Sequence, residues 1–103
     1  MLAVDVIDWI QAVDYVSRIH AGGERHLLRE SLASLERRLD PAQFVRVHRS
    51  AVVRIDRVRE LRADARGDLT IVLMDGTQVP VSRRQRARVR SILTARGRIH
   101  TAG

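Results

Sequence analysis

Short apolar runs alternate with turn-forming clusters along most of the chain, and that pattern predicts small β-strands in hairpins. Residues 4–10 mix apolar and acidic positions. Read as a strand, they put Val4, Val6 and Ile10 on one face and Ile7 and Trp9 on the other. Residues 15–20, rich in β-branched and aromatic types, predict a second strand. Ala21-Gly22-Gly23-Glu24 is a hairpin turn, because glycine reaches positive φ at little cost, and residues 26–29 return. Ser31 is placed to cap a short helix. Leu32, Leu35 and Leu39 recur at helical spacing, and Pro41 ends the helix near Asp40. Residues 44–48 alternate apolar and polar, Arg49-Ser50 interrupts, and Ala51-Val52-Val53 resumes the run. Ile55, Val58 and Leu61 lead into a further strand that stops at residues 64–68. Residues 69–74 and 77–81 flank Asp75-Gly76, a strong hairpin signal, with Pro80 suited to an edge or a strand end. Ser82 is expected to cap a final helix from Arg83 to about Thr94, whose apolar stripe is Val89, Ile92 and Leu93. The expectation is a mainly β domain: stacked small antiparallel sheets, a short central helix and a C-terminal helix, with residues 95–103 as a flexible tail.

Composition narrows the function. The 103 residues are 45% hydrophobic, enough for one modest core. There is no cysteine, which removes disulfides, thiolate metal sites and cysteine nucleophiles. No apolar run approaches the roughly 20 residues of a membrane helix. The first residues, Met-Leu-Ala-Val-Asp-Val, lack the basic start of a signal peptide, so a cytoplasmic setting is expected. The net charge is +7, and all 19 basic residues are arginine. Genome composition alone can favour arginine over lysine; the distribution says more. Residues 1–45 carry 5 arginines and 7 acids, net −2, whereas residues 46–103 carry 14 arginines and 5 acids, net +9. A basic half on a small domain points to an anionic partner such as nucleic acid.

Catalytic chemistry has little support. His20, His26, His48 and His100 have no metal-ligand spacing, although His20 and His26 straddle a turn and could face each other across a hairpin. His48 and Ser50 lack a third partner, and no nucleophile elbow or phosphate loop occurs. Asp5, Asp8 and Asp14 are spaced irregularly, as solvated acids would be. No enzyme activity, metal or cofactor is expected. Trp9 and Phe44 sit at apolar-patterned positions and are read as core.

Two segments place basic clusters where strands stop: residues 44–50, Phe-Val-Arg-Val-His-Arg-Ser, and residues 79–86, Val-Pro-Val-Ser-Arg-Arg-Gln-Arg. An arginine fork there can grip a guanine edge or a phosphate. Together with Trp9-Ile10-Gln11-Ala12, Asp14-Tyr15-Val16, Val52-Val53 and Asp75-Gly76, these segments resemble the LytTR-type DNA-binding domain, the output domain of many bacterial response regulators, over about residues 4–93. The resemblance implies sequence-specific binding of double-stranded DNA, on paired direct repeats, by loops that enter successive major grooves. It implies that Arg49 and Arg83 read bases, with Asp14 the nearest match to a third reader. Arg46, His48, Ser50, Ser82, Arg84 and Arg86 would meet phosphates.

The sequence departs from that family at Gln11 (usually Glu), at Arg54 (commonly Asn) and at Gln85 (frequently aromatic). The turn at Val13-Asp14 is one residue shorter. The Arg54 charge is expected near the reading loop. The first family strand is expected to be missing, leaving an edge that invites homodimerisation, and a receiver domain would have to lie upstream in a longer chain. Two other readings stay open: a non-specific nucleic-acid module, and a protein-interaction module on the same fold. Comparing duplex DNA, single strands and RNA separates them.

Overall fold

The computed structural model describes residues 4–97. Eight strands form two antiparallel sheets. The first holds β1 (Trp9–Val13), β2 (Val16–Ala21), β3 (Glu24–Leu28), β4 (Phe44–His48) and β5 (Ala51–Arg54), in the order β3-β2-β1-β5-β4. The second holds β6 (Val58–Ala63), β7 (Leu69–Leu73) and β8 (Gln78–Val81) in sequence order. Helix α1 spans Leu32–Arg38, and α2 spans Arg86–Ala95.

The first sheet is covered on both faces. Trp9, Val45, Val47 and Val53 face the second sheet and α2, where they pack with Ile71, Val79, Val89 and Leu93. Ile10, Ile19, Phe44 and Val52 face the other way, toward Ile7 and the α1 residues Leu32 and Leu35. Each fully buried aliphatic side chain contributes about 1.5–3 kcal/mol. A seven-residue helix such as α1 could not persist alone; burial of Leu32 and Leu35 and the Ser31 cap hold it. The Ser31 hydroxyl accepts from the Ser34 amide at 3.1 Å, as expected of a cap.

Several expectations need correction. Residues 4–10 are not one strand: Val4–Val6 form a 3-10 turn and β1 starts at Trp9. The Val4 side chain lies outside the described residues. β1 is a central strand, paired with β2 and with β5, and the outer strands of the first sheet are β3 and β4. His20 and His26 do not face each other. His26 is opposite Ile19 and His20 is opposite Arg25, so the two rings leave opposite sides of the ribbon. His20 instead stacks on Trp9, with ring centroids 4.3 Å apart. Arg54 is buried at the end of β5 remote from the Arg49 turn, and it donates to the Asp5 carbonyl. Ser82 does not cap α2 with its side chain. A 3-10 turn, Arg83–Gln85, intervenes, and Ser82 starts it with its carbonyl, which accepts from the Gln85 amide. The expected tail begins at the last residue of α2; residues 98–103, including His100, lie outside the described residues. Among the described residues, no helix is long and apolar enough to cross a membrane.

Candidate nucleic-acid interface

Strand direction decides which turns meet. β1 ends and β5 begins at the same end of the first sheet, because Gln11 pairs with Ala51. The Asp14-Tyr15 turn and the Arg49-Ser50 turn therefore lie side by side, and the Ala12 amide donates to the Ser50 carbonyl at 2.9 Å. A bulge in β4 between Arg46 and His48 accompanies the link to the second sheet: the Val47 carbonyl accepts from the Ser82 amide at 2.9 Å. That bond brings the start of the α2 segment to the same end. Three stretches far apart in sequence thus converge.

Between the Arg49 turn and the Ser82 junction runs an open groove of about 470 Å³. Arg46, His48 and Arg49 line one side and Arg84 and Arg88 the other, with Glu36 as the carboxylate among its lining residues. A second concavity joins Asp14 and Tyr15 to Arg46 and Arg49. Four arginines around one groove make a strongly positive cleft, the kind that concentrates anions.

The arginines are not equivalent. Arg46 is largely covered, and its donors are committed: Nη1 to Glu36 at 2.6 Å, Nε to the His48 carbonyl at 2.9 Å, Nη2 to the Arg49 carbonyl at 2.7 Å. It braces the turn that carries Arg49. His48 Nδ1 accepts from the Ser50 amide at 3.1 Å, closing the turn from inside. The Arg49 side chain is exposed and makes no hydrogen bond or ion pair among the described residues. Arg83 is outside the groove, 73% exposed, with Nε donating to Asp68 at 3.0 Å. This bond holds the Asp68 carboxyl below the usual carboxylate range and raises the Arg83 pKa above its ordinary value. Arg86 donates to the Gly67 carbonyl at 3.0 Å. Arg84 is exposed on the groove wall.

Asp14 sits at φ 54, in the left-handed region that Asp tolerates better than most residues, and this allows a two-residue turn beside a fully exposed Tyr15. Of the residues expected at the site, Arg46, His48, Arg49, Ser82 and Arg84 line one groove, Asp14 borders it, and Arg83 and Arg86 flank it on the side of residues 64–68. Sequence reading missed Glu36, Arg88 and Asp68. Arg88 had a legible signal, since it lies four residues after Arg84 and so shares its side of the segment. Glu36 and Asp68 had none, because each meets its arginine only through the fold. Among the described residues, no group of three or more His, Asp or Glu is placed to hold a metal.

Comparison with known proteins bears on the family and the fold. The LytTr DNA-binding domain family matches residues 1–94. The CO-responsive transcriptional regulator RcoM of Rhodospirillum rubrum is 41% identical over 88 residues, which cover 82% of this chain and 36% of that protein. The sensory transduction protein LytT of Bacillus subtilis is 28% identical, over 89% of this chain and 43% of its own length. The chain therefore spans well under half the length of these relatives. A LytTr DNA-binding domain from Bacillus cereus superposes with a TM-score of 0.83 at 23% identity, covering 89% of this chain and 84% of that one, and shares the fold. The family match, over nearly all of the described fold, places this chain in the LytTR DNA-binding domain family.

Proposed function

We propose that this chain binds double-stranded DNA sequence-specifically, with Arg49 and Arg83 as base readers from the two loops. The observation that carries the reading is the division of labour among the arginines. Arg46 is fixed by three bonds in the body of the protein, while the neighbouring Arg49 is exposed and uncommitted on the braced turn. A specific protein needs this separation of positioning from readout. Arg46 acts as a brace for the turn, in place of the phosphate contact that the family resemblance implies for it. Ser82, Arg84, Arg86 and the added Arg88 are suited to phosphates, as are His48 and Ser50 at the turn. Asp14 is a third reader or a neighbour of one, since it borders the surface reached by Arg49.

In a regulator as long as the relatives, the remaining chain would supply an input such as a receiver domain. The site would be a pair of direct repeats bound by two copies. Sedimentation on and off DNA checks that stoichiometry; a 1:1 complex on the selected site removes the paired-repeat reading.

The deciding experiment selects bound sequences from random duplexes, then compares Arg49→Ala on the selected and on a scrambled duplex. A loss of about ten- to a hundredfold confined to the selected duplex is expected. An equal loss on both duplexes would favour the non-specific reading. No duplex binding at low salt would favour a protein-interaction module.

A further inference from the structure

Residues 64–68 join two strands and belong to neither arginine cluster, yet they are tightly organised. The Asp64 carboxylate Oδ1 accepts from the amides of Arg66 and Asp68, each at 2.9 Å. The Asp64 amide donates to the Asp68 carbonyl, and the Gly67 amide donates to the Asp64 carbonyl, each at 3.0 Å. Gly67 has φ +83, a conformation that favours glycine and closes the loop. The loop is then clipped to the start of α2 by Arg86, which donates to the Gly67 carbonyl. From this frame the half-buried Asp68 carboxylate takes the Nε of Arg83, beside the exposed Ala65 and Arg66.

Which nitrogen is taken matters. Binding at Nε leaves Nη1 and Nη2 without a partner among the described residues, side by side at the tip. That pair is the fork able to reach O6 and N7 of one guanine. We propose that Asp68 is a positioning residue that fixes the Arg83 guanidinium with its terminal nitrogens presented to a guanine edge. The inference rests on the base-reading role proposed above for Arg83.

Two physical effects favour it. A long side chain held beforehand loses less conformational entropy on binding, so affinity for a correctly placed base rises. The Asp68–Arg83 pair also has no net charge. Such a pair attracts a phosphate less than a bare arginine does, while it still donates two hydrogen bonds to a neutral base. The carboxylate therefore trades general affinity for discrimination.

The test uses the whole chain and the selected duplex. Asp68→Asn removes the charge and keeps the size. Binding to a scrambled duplex is expected to stay the same or tighten, while binding to the selected duplex weakens, so that the ratio of the two falls by about tenfold. Replacing the read guanine by 7-deazaguanine should weaken the native protein and leave Asp68→Asn little changed. Asp68→Asn added to Arg83→Ala should lower the ratio no further, and Asp68→Glu should restore part of it. Asp68→Ser, which removes the carboxylate altogether, gives a second route should Asp68→Asn fold poorly; it should lose the ratio too. Equal tightening on both duplexes would mean that Asp68 only repels DNA, which overturns the proposal. If Arg83→Ala lowers the ratio and Asp68→Asn does not, positioning fails and base reading stands. If Arg83→Ala leaves the ratio intact, both fail.

Discussion

The Arg49 turn and the Arg83 junction present the same side chain in two ways. At the turn, the backbone is held and the proposed reader is left loose. Arg46 ties two carbonyls of the turn to Glu36, His48 closes it, and Arg49 itself is uncommitted. At the junction, the proposed reader itself is held. Asp68 takes the Arg83 Nε, and the loop behind Asp68 is stiffened by Asp64 and Arg86. A free arginine on a firm base can adjust to its target, at an entropic cost. A clamped arginine meets one geometry with little further ordering. The difference teaches that arginine count is a poor measure of a DNA surface; what each guanidinium is already bonded to decides its use.

Breaking the brace should have the largest effect. Arg46→Ala leaves the Glu36 carboxylate and two carbonyls without their partner in a half-covered site, so stability should fall by about 1–3 kcal/mol in denaturant unfolding. Selective DNA binding should fall with it, since the turn loses its hold. Arg49→Ala should be the complement: unfolding within about 0.5 kcal/mol of the native protein, with the selective loss of affinity described above. Should Arg46→Ala leave stability untouched, the contrast between brace and reader collapses.

A smaller effect is expected on the groove wall. Arg84→Ala or Arg88→Ala should weaken selected and scrambled duplexes alike. Each phosphate contact removed should lower the slope of log K against log salt by about 0.9 in titrations.

The smallest effect concerns the far end of the sheet and serves as a control on both loops. His20 is held below the ordinary histidine range, first by burial and then by the Arg25 and Arg18 charges, against opposing pulls from Asp75 and Asp8. Its neutral form is the one that folds best. The unfolded chain therefore takes up a proton first as pH falls below about 6.5, and stability drops between that pH and the lower folded value. Melting temperatures followed by the single Trp9, on which His20 stacks, should decline there in the native protein and less so in His20→Phe. A pH-independent stability from 7 to 5 would contradict this.

Much of the fold was legible in the sequence because local chemistry agreed with it. Gly22-Gly23 and Asp75-Gly76 turn where glycine permits, Ser31 caps α1, and Pro80 sits on the edge strand β8. The start of the chain was misread for a physical reason. The 3-10 turn at Val4–Val6 breaks the alternation before β1, so Ile7 packs with Ile10 and not with Trp9, although Trp9 and Ile10 do lie on opposite faces as read. Arg54 misled too, as a charge that the fold buries. The site was half legible. Arg49 and Arg83 stand out by their places at strand ends, whereas the Glu36–Arg46 and Asp68–Arg83 pairs join residues 10 and 15 positions apart that no local pattern links.

The bulge at Val47 has one more consequence. Through the Val47 carbonyl and the Ser82 amide it sets where one sheet meets the other, and so how far apart the two loops stand. Successive carbonyls of a strand point to opposite sides, so the join could re-form only after a slip of two residues, about 6.6 Å. The spacing of the two loops is therefore fixed in coarse steps, and small adjustments between them are not open to the fold.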